Sequence, residues 1–108
     1  MPALSIRQPY AEQILRGTKR IEYRSMSTNK RGRVYIYAGQ SPGPSNEWRK
    51  IGLEAGDLPT GVLVGTVEII DCIKKGTNDY HWILAHPLRL KRTIKPTNHP
   101  QTAWFYPF

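Results

Sequence analysis

The sequence predicts a small α+β domain, a mixed β-barrel of about six strands with two short helices, filling residues 1–108 as one unit. Three observations point to it. The chain has 108 residues and a hydrophobic fraction of 39%, which suits one modest core. Its apolar residues fall in strand-like runs: Val34, Ile36 and Ala38 alternate with Tyr35 and Tyr37, and Val62–Cys72 is rich in β-branched side chains. Glycine and proline break the chain into short segments.

Each element has its own local reason. Ala3–Arg7 reads as a short strand. Pro9 fits the first turn of a helix, where its missing N–H costs nothing. Tyr10, Ala11, Ile14 and Leu15 then keep helical spacing, and Gly17 is a C-terminal stop. Arg20–Arg24 reads as a strand, and the polar stretch from Ser25 to Arg31 as a turn ending at Gly32. Val34–Ala38 is the next strand. Gly39–Pro44 is a breaker cluster, after which Ser45 offers an N-cap for a helix through Ile51. Glu54–Thr60 is a loop. Val62–Cys72 reads as the centre of the sheet, with Gly65 marking a bulge or a close backbone approach. Lys74–Asp79 reads as a turn and Tyr80–Leu84 as a strand ended by His86-Pro87. Leu88–Ile94 reads as an exposed edge strand. The aromatic tail Trp104–Phe108 is expected to pack back on the barrel.

Bulk properties narrow the function classes. No run approaches the roughly 20 apolar residues of a membrane span. Arg7 follows only a short apolar stretch, which argues against a signal peptide. The lone Cys72 excludes an internal disulfide and suits a reducing, cytoplasmic setting, where it reads as a small buried hydrophobe. Charge is the most useful quantity. Sixteen Lys and Arg stand against eight Asp and Glu, a net +8. Residues 1–50 hold ten basic and three acidic side chains, and no acidic residue follows Asp79. Such a field favours polyanions, of which nucleic acid is the commonest. A basic surface without a specific partner is the bland alternative.

The densest chemistry lies in Gly17-Thr18-Lys19-Arg20-Ile21-Glu22-Tyr23-Arg24. On a strand, Arg20, Glu22 and Arg24 point to one face, with Ile21 and Tyr23 on an apolar opposite face. Lys19 suits a phosphate contact or a base, Glu22 a restraint on the cations or a proton carrier, and Arg24 a two-pronged grip on an oxyanion. The same three residues also make sense as ion pairs on a wet face. Upstream lies Leu4-Ser5-Ile6-Arg7-Gln8-Pro9-Tyr10-Ala11. There Arg7 and Gln8 beside a ring suit a base-recognition edge, with Gln8 as a helix cap and Tyr10 as core the structural alternative.

Together these two segments resemble the ASCH family, a branch of the PUA-like superfamily. Its pattern opens with Leu-Ser-Ile-(basic)-Gln-Pro-(aromatic)-Ala and continues, after a helix, with Gly-x-Lys-x-x-Glu-x-Arg; Leu4 to Arg24 fill every marked position. Arg33–Ala38 and Gly61–Glu68 fit two later strands. The resemblance implies a PUA-like barrel with its cleft at Lys19, Glu22 and Arg24. The family holds acetylcytidine amidohydrolases, proteins assigned metal-dependent cleavage of single-stranded RNA, and binders without chemistry. The amidohydrolases carry threonine, their nucleophile, where this chain has Glu22, and that departure counts against an amidohydrolase.

The remaining candidates are aromatic and acidic. Trp48 follows the Gly-Pro loop and precedes Arg49 and Lys50, which suits base stacking beside phosphate contacts. His81, His86 and His99 lack metal-ligand spacing, so no resident cofactor or metal is expected. A loosely held divalent cation in a nuclease site would fall to Glu22 and Glu68. The leading expectation is binding of RNA or single-stranded nucleic acid: Arg7, Lys19, Arg24 and Lys50 on phosphates, Gln8 and Glu22 at a base, and Trp48 stacking. The alternatives are a ribonuclease or hydrolase using Lys19 and Glu22, and a protein-interaction module built on Leu88–Ile94 and the aromatic tail.

Overall fold

The computed structural model describes all 108 residues, Met1–Phe108. Six strands and two short helices follow one another as β1 (Ala3–Arg7), α1 (Tyr10–Leu15), β2 (Ile21–Arg24), β3 (Gly32–Gly39), α2 (Ser45–Lys50), β4 (Val62–Gly76), β5 (Asp79–Ile94) and β6 (Trp104–Phe105). They form one mixed sheet in the order β2-β5-β4-β3-β1-β6. Only β1 and β3 run parallel, with Leu4 opposite Ile36; the other pairs are antiparallel. No helix is long and apolar enough to cross a membrane.

The core follows from strand alternation. Leu4 and Ile6 of β1, Val34, Ile36 and Ala38 of β3, Val67 and Ile69 of β4, and Trp82 and Leu84 of β5 share one buried cluster. Helix α1 lays Ala11 and Ile14, three residues apart on one face, onto the same cluster. Of the aromatic tail, Trp104 joins it as expected, stacking on Trp82 with ring centroids 5.8 Å apart, while Tyr106 and Phe108 stay exposed.

The strand count of six was anticipated, but its make-up differs. Tyr80–Leu84 and Leu88–Ile94 are one strand, β5, and the sixth strand is Trp104–Phe105, which pairs with β1. His86-Pro87 does not end β5. Ala85 opposes Glu68 and Leu88 opposes Thr66, so His86 and Pro87 bulge outward across from Val67 alone. The bulge accommodates a proline without a donor and a histidine at φ +53° while the pairing continues on either side. Similarly, β4 runs past Cys72 to Gly76, and Ser45 is the first residue of α2 rather than its cap, which is Pro44.

The strand order is that of an open sheet, so strand pairing does not close the mixed barrel expected. Its ends are the four-residue β2 and the two-residue β6. Curvature still brings β2 near β1, since Arg24 Nη2 donates to the Ser5 carbonyl at 2.9 Å.

Two contacts fix α1 on the sheet. Gly65 lies at the β4 bulge expected of it, and the register of β4 slips on both its flanks. A Cβ there would stand 2.5 Å from the Leu88 carbonyl oxygen and strike the Leu15 side chain. The second contact was not anticipated. Glu12 of α1 is only 6% exposed, yet it is charged. Arg89 of β5 grips both its oxygens at 2.8 and 2.9 Å, and Arg16 Nε donates at 2.7 Å. The Arg89 hydrogen bond is the main reason that the Glu12 carboxyl sits below its usual value of 4.5, against the opposing effect of burial.

Two outcomes follow. Gly65→Ala should lower stability by about 3 kcal/mol, read by thermal denaturation, because neither the Leu88 backbone nor the Leu15 methyl can move away cheaply. Glu12→Gln should cost about 2 kcal/mol near neutral pH, the scale of hydrogen bonds to a charged group. Because folding lowers the Glu12 pKa, its stabilisation is complete above the unfolded value and fades as pH falls through the folded one. The gap between wild type and Glu12→Gln should therefore shrink below about pH 4.5 in denaturant titrations. A gap that widened on acidification would contradict the assignment.

Candidate functional site

A concavity of about 1170 Å3 opens where α1, β2 and the C-terminal end of α2 meet β1. Strand β1 contributes Arg7, α1 contributes Tyr10 and Gln13, and α2 contributes Glu47 and Lys50. The floor comes from the turn after α1 and from β2. Gly17, at φ +80°, reverses the chain there. The Gln13 carbonyl then accepts from the N–H groups of both Thr18 and Lys19, at 3.0 and 3.1 Å. This left-handed stop aims Lys19 into the concavity.

At the centre lies an ion set. Glu22 is 8% exposed. Its Oε2 accepts from Arg24 Nε at 2.7 Å, and its Oε1 lies 3.5 Å from Lys19 Nζ. Lys19 also donates to the Ile21 carbonyl at 2.6 Å. A buried carboxylate persists only when its charge is answered, and here two cations answer it. Arg24 meanwhile packs its guanidinium 5.5 Å from the centre of the Trp82 ring.

This geometry reverses the face assignment made from alternation. The charged face of β2 turns inward, and Tyr23 on the supposedly apolar face is 60% exposed. Strand β2 ends the sheet, so Tyr23 has only β5 beside it, where it meets His81 edge-on at 4.7 Å between centroids. Lys19 lies between two rings, 4.9 Å from the centre of Tyr23 and 5.1 Å from that of Tyr10.

Of the residues expected in a cleft, Arg7, Lys19, Glu22, Arg24 and Lys50 line this concavity, and Gln8 and Trp48 do not. Gln8 is buried and both ends of its amide are engaged: Oε1 accepts from the Glu12 N–H at 3.0 Å, and Nε2 donates to the Pro59 carbonyl at 3.1 Å. It holds the first turn of α1. Trp48 is the buried residue of α2, 4% exposed, and does not line the opening. Lys50 Nζ donates to Glu47 Oε1 at 3.1 Å, and that bond is the main cause holding the Glu47 carboxyl below its usual range. Tyr10, read as core, touches both the core and the concavity. Arg16, Arg20 and Tyr23 also line it. The signal for the tyrosines was their bracketing of Lys19, which only the reversal at Gly17 makes spatial.

Glu68 lies elsewhere, on β4, bound to Arg33 and His86 at 3.3 Å each. It does not join Glu22, and no group of three or more His, Cys, Asp or Glu converges to hold a metal.

Fold and site together define a small α+β protein with a six-stranded mixed sheet and a cation-lined concavity beside a glycine-stopped helix. The chain belongs to the ASCH domain family, which it matches over residues 4–97, and so to the PUA-like folds. It is similar to activating signal cointegrator 1 of mouse (Mus musculus), 39% identical over 83 residues. Against the human (Homo sapiens) protein the identity is 37% over 83 residues. Each alignment covers 67% of this chain and 14% of the relative, so the chain spans about a seventh of the length of these curated relatives.

The reversed face of β2 is directly checkable. Glu22→Ala should lower stability by about 2 kcal/mol, since it strands two partly buried cations. Tyr23→Ala should cost less than about 1 kcal/mol in the same urea titration. The opposite ranking would restore Tyr23 to the interior.

Proposed function

We propose that this ASCH domain binds RNA or single-stranded nucleic acid in the concavity beside α1. One observation carries the reading: Arg7, Arg16, Lys19, Arg20, Arg24 and Lys50 line a single opening that holds only Glu22 and Glu47 as acidic groups. Phosphates are the ligand such a surplus of cations favours. Arg7 and Arg20, both exposed, serve as phosphate contacts free of the ion set. Lys19 and Arg24 are held in place by Glu22, so they lose little freedom on binding. Tyr23 takes the stacking role first given to Trp48, because its ring is open to solvent and lies over Lys19. The reading carries a cytoplasmic setting, in keeping with the free thiol of Cys72.

A second reading, a ribonuclease at the same place, rests on Lys19 Nζ and Glu22 Oε1 lying 3.5 Å apart within the opening. They would share proton transfer, with a divalent cation supplying charge if Glu22 held one. The geometry favours binding over this, since both groups are already committed to ion pairs and hydrogen bonds.

Lys19→Ala combined with Arg24→Ala should weaken binding of a short single-stranded RNA by about 30-fold at low salt, roughly 2 kcal/mol. It should also flatten the plot of log affinity against log salt by about 1.4, the share of two phosphates on a single strand. Arg7→Ala combined with Arg20→Ala, at exposed positions, should flatten it similarly with the fold unperturbed. Unchanged affinity in both pairs would end the proposal. For the hydrolytic reading, RNA shortened by wild type with manganese but not by Glu22→Gln, on a denaturing gel, is the required result.

A further inference from the structure

A second, smaller concavity of about 340 Å3 shares one lining residue with the first, Ser5 of β1. Its chemistry differs. Its remaining walls are Tyr37 and Gly39 of β3, Gln40 and Ser41 of the following loop, and His99 and Pro100 of the segment before β6. No Lys, Arg, Asp or Glu reaches it. It offers hydroxyls, one amide and one imidazole.

The two ring-bearing groups are organised rather than adventitious. The Tyr37 hydroxyl and His99 Nδ1 are 3.1 Å apart. Tyr37 is 3% exposed, its ring held edge-on by Phe105 at 5.2 Å between centroids. Burial pushes its phenol pKa up, so at neutral pH it remains a protonated donor. The Tyr37 contact engages Nδ1 of His99 and leaves Nε2 as the uncommitted ring nitrogen. The segment carrying His99 is itself tied down, as the N–H groups of Thr97 and Asn98 donate to the Pro107 carbonyl at 2.8 and 3.0 Å.

A cation-lined opening that shares one serine with a neutral, hydrogen-bonding pocket matches the alternation within a nucleotide chain. Phosphate suits the first, and an uncharged base edge or ribose suits the second. The pocket's size also suits one base and its sugar. We propose that the Ser5–Tyr37–Ser41–His99 pocket is a subsite for the nucleotide adjacent to the one held over Lys19 and Arg24, the chain crossing Ser5 between them. This rests on the nucleic-acid reading above and adds to it a place for an adjacent nucleotide outside the cation-lined opening.

The test uses 5′-phosphorylated oligoadenylates of one, two and three nucleotides, with the intact protein, by calorimetry at low salt. Wild type should bind two nucleotides at least about tenfold more tightly than one. His99→Ala should reduce that ratio to about threefold or less without changing the affinity for one nucleotide. Ser41→Trp, which fills the pocket from an exposed loop position, should do the same, and it guards against a folding defect at His99. Equal ratios in wild type and both variants would overturn the subsite while leaving the main opening intact. If wild type bound none of the three, or if Lys19→Ala with Arg24→Ala bound them all as wild type does, the nucleic-acid reading would fall, and the subsite with it.

Discussion

Everything at the front of this molecule depends on one carboxylate. Glu22 is nearly buried on the end strand of an open sheet, and its charge is answered from both sides by Lys19 and Arg24. That pairing lets the polar face of β2 turn inward. It also orients Arg24 so that its second nitrogen reaches the Ser5 carbonyl on β1, joining strands that no ladder joins. A side chain thus does part of what backbone pairing does in a closed barrel, and the concavity exists because the join is local. The same three residues therefore hold the wall together and form the chemistry exposed on it.

A second charged set performs a comparable task behind the first. Glu12 is clamped between Arg16 and Arg89, which fixes α1 against β5 where Gly65 lets the backbones approach. Gln8 holds the same turn of that helix through the Glu12 N–H. With Glu12 held by backbone and side chain, the reversal at Gly17 has a fixed origin and Lys19 a fixed aim. Arg16 belongs to both systems, clamping Glu12 while lining the concavity. The clamp owes most to Arg89, whose two bonds engage both Glu12 oxygens where Arg16 makes one.

The two concavities illustrate how one strand can separate two kinds of lining. Ser5 belongs to both, with cations on one side of it and hydroxyls and an imidazole on the other. The division arises from topology. Strand β1 lies between β3 and β6, so Tyr37 and the His99 segment come to one side, while Arg24 arrives from β2 across the opening.

Much was legible in the sequence alone, wherever the deciding physics is local. Alternation and β-branching located β1 and β3, helical spacing and Gly17 bounded α1, and the segments Leu4–Ala11 and Gly17–Arg24 together carried the resemblance to the ASCH family. The errors share one cause. His86-Pro87 reads as a break, but cross-strand pairing to β4 carries β5 through it as a bulge. Gln8 and Trp48 carry side chains suited to a ligand, yet packing consumed both. Alternation says that Glu22 and Tyr23 lie on opposite faces, but not which face is inside, because that depends on partners distant in the chain. Local sequence determined which elements form and where the charge collects. Only the tertiary structure, by deciding which polar groups find partners and can stay buried, determined which of them remain free to meet a ligand.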